Sequence, residues 1–290
     1  MTAPDGLTVT HTSTVTPDQI DHLGHMNVRY YAVNARAATR SIAGNGRILD
    51  MYTRHHREQL LGTELEVRSG VLGVDTGSTQ LYHELVNAST GDIAATFVYR
   101  VETDTPIDHV DTIDLPEHGR PRSIDLTSVM ASPSLDELRR LGLAMREPRE
   151  IDREDTGGGD TVASSMAPML FWGGTPADGT EHQLLHTGPN GENMGWATME
   201  TRIAINRLPD LGNRIQSFAA TTAIADKTTQ MSMWVYALDG DDGGELLATF
   251  EIVSVLFDIG ARRAMSIPEN MRAETEARLH PELAARSNAD

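Results

Sequence analysis

Five short markers in the 290-residue chain recur in the same order about 150 residues later. Thr53-Arg54 is matched by Thr201-Arg202, Leu61-Gly62 by Leu211-Gly212 and Thr79-Gln80 by Thr229-Gln230, at offsets of 148, 150 and 150. Ala95-Thr96-Phe97 returns as Ala248-Thr249-Phe250, and Leu115-Pro116-Glu117 as Ile267-Pro268-Glu269, at offsets of 153 and 152. The drift fits a loop insertion around residues 239–244. Ordered self-similarity of this kind marks a duplicated unit. A domain takes roughly 100–200 residues, so each copy is long enough to bury a core of its own. The expected organisation is a first unit over residues 1–120, a linker and bridging helix over 121–149, a second unit over 150–272 and a tail over 273–290.

In the first copy, residues 7–15 carry β-branched side chains at short spacing and read as a strand that ends at Thr16-Pro17. Residues 26–43 are rich in alanine and place Tyr30, Val33 and Ala37 at helical spacing, until Gly44-Asn45-Gly46 stops the pattern. Strand-like runs follow over 64–74, 80–87 and 93–102, separated by the turn sequences Asp75-Thr76-Gly77-Ser78 and Ser89-Thr90-Gly91-Asp92. The second copy repeats the later strands over 197–206, 214–225, 230–238 and 245–257. Met166, Met169, Leu170, Phe171 and Trp172 fall where its helix should lie. Between the copies, Ser132-Pro133 opens a short helix with Asp136 and Glu137 in its first turn, which stops near Gly142.

One helix followed by consecutive antiparallel strands predicts an α+β layer, each unit a curled antiparallel sheet wrapped round a central helix. The alanines at 32, 35, 37 and 38 let such a helix sit close to a concave sheet.

The balance of charge and the missing residue types narrow the chemistry. The chain has 42 acidic against 24 basic side chains, a net charge of −18, which opposes the phosphate-tracking surface that nucleic-acid binding requires. With no cysteine, thiolate nucleophiles, thiolate metal sites and disulfides are excluded. The N-terminus lacks a basic, then apolar, targeting pattern, and no run reaches the roughly 18 apolar residues of a spanning helix, so a cytoplasmic protein without membrane partners is expected. There is no Gly-x-Ser-x-Gly elbow, and His55-His56-Arg57-Glu58 is not a His-Glu-x-x-His zinc motif. Gly157-Gly158-Gly159-Asp160 lacks the Gly-Lys-Ser/Thr ending of a phosphate loop. Neither a metal nor an organic cofactor is expected.

The densest polar cluster, Asp18-Gln19-Ile20-Asp21-His22-Leu23-Gly24-His25-Met26-Asn27, lies where a loop enters the first helix. Helix-start amides lack intrahelical partners and carry partial positive charge, so a developing oxyanion can be held there. Asp21 and His25, four residues apart, supply a base and an orienting or proton-transferring group, and Gly24 permits close approach of backbone. The same residues also suit a purely local role, with Asp21 in an Asx turn and His25 and Asn27 satisfying the helix start.

Val15-Thr16-Pro17 followed by Asp21-His22-Leu23-Gly24-His25-Met26-Asn27-Val28-Arg29-Tyr30-Tyr31 resembles the signature of hotdog-fold thioesterases of the 4-hydroxybenzoyl-CoA thioesterase-like superfamily. The likeness runs to about Arg120 and continues, without the signature, through the second copy. The chain is also similar to acyl-carrier-protein thioesterases, which are double hotdogs. Asp21 and His25 fall on their Asp and His, Leu23 replaces their Asn, and His56-Arg57-Glu58-Gln59 looks like their Glu-bearing segment.

The resemblance implies a tandem hotdog that cleaves an acyl-CoA, or an acyl-ACP, to free acid and thiol. Asp21 would act as base or nucleophile, with Glu58 as the alternative base, His25 and Asn27 orienting groups, and the amides near Gly24 to Asn27 holding the thioester oxygen. Gly24, Met26, Tyr30 and Tyr31 would contact substrate. One site per chain is expected, in a monomer of fused hotdogs or a homodimer. Two other readings stay open: a hotdog hydratase or dehydratase, whose motif spaces Asp and His five apart with Asn-Pro between them, and a non-catalytic acyl-thioester-binding protein.

Overall fold

In the computed structural model, which describes residues 6–21, 23–75, 77–104, 107, 109–156, 159–167, 169–179, 185–188, 191–238 and 244–286, the chain divides into two units. The first comprises Met1–Arg122 with Ala163–Pro168, and the second Ser123–Val162 with Met169–Asp290.

In the first unit, β1 (Thr8–Thr14) leads through the polar loop to α1 (Val28–Ala43), followed by β2 (Arg47–His55), β3 (Glu64–Asp75), β4 (Ser78–Asn87) and β5 (Ile93–Glu102). The strands form an antiparallel sheet in the order β1-β3-β4-β5-β2. Bulges between Val9 and His11, Ile48 and Asp50, Val71 and Gly73, and Leu85 and Val86 bend the strands. The sheet curls far enough for α1 to touch β1, β3, β4 and β5.

The helix buries Tyr31, Ala32, Ala35, Ala38, Ile42 and Ala43, a stripe at three- and four-residue spacing. Ala35 and Ala38 have no exposed surface, so the helix backbone lies close to the sheet, as the alanine pattern predicts. A leucine at either position would overpack that contact, at a cost of about 1–3 kcal/mol. The helix starts at Val28, two residues later than the sequence pattern indicates, because Asn27 caps it: its Oδ1 accepts the Arg29 amide at 3.0 Å.

Strand β2 is absent from the sequence reading. Its buried residues include Asp50, Thr53 and Arg54, which break the apolar pattern of a strand. Arg54 is buried because its Nη1 donates to the carbonyls of His118 and Arg120, at 3.1 and 2.8 Å. Its counterpart in the repeat, Arg202, is used in the same way in the second unit, where Nη1 donates to the carbonyls of Asp125 and Ser128, at 3.1 and 3.0 Å.

The second unit contains α2 (Leu135–Arg140), β6 (Arg149–Glu150), α3 (Met169–Trp172), β7 (Leu185–Thr187), β8 (Asn193–Ile205), β9 (Arg214–Ile224), β10 (Thr228–Ala237), β11 (Glu245–Asp258), β12 (Arg263–Ala264) and α4 (Glu269–Glu276). Its antiparallel sheet runs β8-β11-β10-β9-β6, with β7 beside β8 and β12 beside β11. Of the insertion at 239–244, all but Gly244 lies outside the described residues.

The expectation of a central helix in both units is corrected here. In the second unit that helix is the single turn α3, ended by Gly173-Gly174-Thr175-Pro176, while Ser164–Met166 forms a 3-10 turn that belongs to the first unit and packs on α1. Phe171 of α3 is fully buried against Phe250, and its carbonyl accepts Ser217 Oγ at 3.2 Å. α2 starts at Leu135 with Ser134 as its cap, two residues beyond Ser132-Pro133. It packs Leu135 and Leu138 on Phe218, Ala220, Trp234 and Tyr236.

Candidate active site

The loop between β1 and α1 is held closed by its own backbone. The Asp21 amide donates to the His25 carbonyl at 2.8 Å and the Gly24 amide to the Asp21 carbonyl at 3.1 Å. Asp21 Oδ1 accepts the amides of Leu23 and His25, at 2.8 and 3.2 Å, so the carboxylate braces the turn. Gly24 has φ +84°, in the left-handed region, and a Cβ placed there would meet nothing within 4 Å. The glycine is therefore required by the backbone, and the space beside it is open. The Met26 amide donates to the Gln59 carbonyl at 2.8 Å, which pins the helix start to the segment after β2, and the Asn27 amide donates to the Gln19 carbonyl of the loop itself at 2.9 Å. His22 lies outside the described residues.

That segment brings in the distant carboxylate. His25 Nε2 lies 3.2 Å from Glu58 Oε2, with the imidazole 19% exposed and the carboxylate 45%. Tyr31 backs the pair: its hydroxyl donates to the Arg57 carbonyl at 3.1 Å, and its ring meets His55 edge-on at 5.3 Å. Burial drives the Tyr31 phenol far above its ordinary value, opposed by the Gln59 backbone and reinforced by the Glu58 and Asp21 carboxylates. Tyr31 is thus a neutral donor, and both carboxylates act on it. His55 is pushed down to about 4 by burial and then by His56, so it stays an uncharged ring at neutral pH.

The amides near Gly24 to Asn27, expected to hold the thioester oxygen, are engaged in the structure. The amides of Gly24, His25, Met26 and Asn27 all have partners within the loop or on Gln59 and Gln19. The next amides, of Arg29 and Tyr30, go to Asn27 Oδ1 and Asn27 O. Among the described residues, the helix-start amide left without a partner is that of Val28, a residue 53% exposed.

Of the residues expected to contact substrate, Met26 and Tyr31 have buried side chains. These side chains are 2% and 3% exposed and hold the loop from beneath. Tyr30 accepts Arg29 Nη2 at 2.7 Å and donates to the Asp18 carbonyl at 3.2 Å, bracing the loop from the other side. The residues that present apolar surface around the loop are Leu23, Val28, Leu60 and Leu61, which are 43–59% exposed. Leu60-Leu61, a paired leucine directly after a polar run, was the available sequence signal. Gln59, buried and holding Met26 through its carbonyl, gave none.

A sheet curled round one helix, with a polar loop closed over the helix start, is the hotdog architecture. Residues 183–275 match the acyl-ACP thioesterase N-terminal domain family, a stretch that lies in the second unit and excludes the Asp21 loop. An acyl-ACP thioesterase from Bacteroides thetaiotaomicron superposes with a TM-score of 0.61 at 10% identity, over 86% of this chain and 98% of that one. The 12:0-ACP thioesterase from Umbellularia californica gives a TM-score of 0.56 at 8% identity, over 84% and 92%. No curated protein matches the sequence significantly. The structural likeness shows the hotdog fold, and the chain resembles hotdog-fold thioesterases. Among the described residues, no helix is long and apolar enough to cross a membrane.

Proposed function

We propose that the chain is a tandem hotdog that hydrolyses acyl thioesters in the cytoplasm, with one site, at the start of α1. The observation that carries this reading is the His25–Glu58 contact on a loop that also holds Asp21 and leads into the unpartnered Val28 amide. His25 pairs with Glu58, Asp21 holds the His25 amide, and Val28 presents its N–H at the positive end of the helix. The thioester carbonyl oxygen accepts the Val28 N–H. Asp21, through the oxygen not engaged with the loop amides, takes a proton from water as the water oxygen bonds to the carbonyl carbon. The tetrahedral adduct collapses, the C–S bond breaks, and the thiolate receives a proton by way of His25, which Glu58 orients. Free acid and thiol leave.

A second assignment of the base rests on the His25–Glu58 contact itself. If Nε2–H donates to Glu58, the Nδ1 lone pair is left to accept the water proton, as in a carboxylate–histidine dyad. The likeness to acyl-ACP thioesterases supports an acyl carrier protein as the thiol carrier, and the first unit's signature supports coenzyme A.

The chain has no cysteine, so a thiol-reactive dye reports product without background from the protein. Thiol release from acyl-CoA and acyl-ACP series should fall at least about tenfold in Asp21→Asn, which keeps an oxygen for the Leu23 and His25 amides but loses the base. If Asp21→Asn is fully active and His25→Gln is not, the dyad is the base. If both variants retain full activity, the site assignment is wrong.

A further inference from the structure

Strand alternation turns Arg54 and His56 to the opposite side of the sheet from His55, which faces Tyr31 of α1. On that far side the segment after β5 folds back over the strands. Gly119 lies so close to Tyr82 that an added Cβ would sit 2.6 Å from its ring, and His118 Nε2 reaches Glu84 Oε1 at 2.5 Å. Between this segment and β2 is an open pocket of about 450 Å³, lined by Arg54, His56, Glu117, His118, Arg120 and Arg122.

In a chain of net charge −18, this pocket gathers three guanidiniums against one carboxylate. Glu117 is taken by Arg120, at 3.2 Å. Arg54 is buried and fixed by two carbonyls, and among the described residues no carboxylate lies within 4 Å of it. Carbonyl dipoles orient a guanidinium without cancelling its charge. His56 hydrogen-bonds Thr96 Oγ1 at 3.1 Å, and burial together with Arg54, His118 and Arg122 pushes its imidazole down to about 4. The surroundings are thus electropositive and partly desolvated, and Arg54 is held in place in advance.

We infer that this pocket is an anion site for a phosphate-bearing ligand, with Arg54 as the fixed donor and Arg120 and Arg122 as the closing pair. Planar guanidinium forks match phosphate oxygens in pairs of hydrogen bonds, which a single ammonium cannot do. The same chemistry could come from the nucleotide phosphates of a coenzyme A thioester or from a free inorganic phosphate. Binding is read directly, so the inference stands apart from the proposed hydrolysis.

The test is calorimetric titration of the whole chain at low salt with inorganic pyrophosphate and with 3′,5′-ADP, using sodium chloride at matched ionic strength as control. Saturable binding of at least one phosphate is expected. It should weaken by roughly tenfold or more in the Arg120→Gln/Arg122→Gln double variant, whose changes fall on exposed side chains. If 3′,5′-ADP binds the more tightly and the double variant raises KM for acyl-CoA without changing kcat, the ligand is the carrier's nucleotide. If pyrophosphate binds and KM is unmoved, the site serves a free anion. No saturable heat from either ligand, or equal affinity in the double variant, overturns the inference.

Discussion

Glu58 reaches across from the segment after β2 to place Oε2 3.2 Å from the Nε2 of His25. The carboxylate is 45% exposed, so the contact is a weak source of stability, worth about 0–1 kcal/mol in such settings. In the proposed mechanism its use is to orient the imidazole. Glu58→Gln keeps an acceptor and removes the charge. It should lower kcat by about 10- to 100-fold while urea denaturation shows a stability change below about 1 kcal/mol. A large loss of stability with kcat intact would reverse the assignment.

Asp21 has a structural task beside its proposed chemical one, and the two separate by substitution. Asp21→Asn retains an oxygen for the Leu23 and His25 amides, whereas Asp21→Ala leaves both without it. Hydrogen exchange at those two amides should therefore speed up in Asp21→Ala and stay near wild type in Asp21→Asn. Thiol release should be low in both. Activity that follows exchange, lost in Ala and kept in Asn, would make Asp21 a brace alone.

The contrast between α1 and β2 shows how far the sequence could be read. The helix was readable because alanines at 32, 35 and 38 face the sheet, and the strands over 64–74, 80–87 and 93–102 because turn residues punctuate them. β2 was not, since Arg54 and Asp50 are buried for reasons of tertiary bonding that no local pattern carries. The truncated helix of the second unit was hidden by an apolar run, Met169 to Trp172, that fits one helical turn as well as five. At the site, the sequence brought forward Asp21, His25 and Glu58. It could not show that Gln19 and Gln59 take the amides of Asn27 and Met26, because those partners lie outside the local pattern of the helix start.

The core of the first unit carries a pH liability. His83 is fully buried, with Nδ1 2.7 Å from Ser69 Oγ and Nε2 2.9 Å from Thr39 Oγ1, and burial pushes it down to about 3. Above its ordinary value of 6.5 the ring is neutral in folded and unfolded chains alike, and its protonation does not affect stability. As pH falls below 6.5 the unfolded chain binds the proton first, so stability drops by about 1.4 kcal/mol per pH unit for this group and levels off near pH 3. Chemical denaturation from pH 7 to pH 4 should show a slope to which His83, His55 and His56 all contribute, and His83→Gln should lower it by about 1.4 kcal/mol per pH unit while costing stability at pH 7. An unchanged slope in that variant would place the acid sensitivity elsewhere.

Val28 offers the sharpest test of the oxyanion site, because its N–H can be deleted without touching a side chain. It is the first residue of α1, behind a cap whose backbone is at φ −59°, ψ 138°. Proline is favoured at that helical position and tolerates an extended residue before it. The valine side chain is 53% exposed, so little packing is lost. Val28→Pro should therefore fold with stability within about 1 kcal/mol of wild type, since no native hydrogen bond disappears. If the amide holds the thioester oxygen as negative charge develops, kcat should fall by about 10²–10³ while KM changes little, the signature of an interaction made mainly in the transition state. Val28→Ala is the control for the side chain and should stay near wild type. Full turnover in Val28→Pro would mean that the thioester oxygen is held by some other donor.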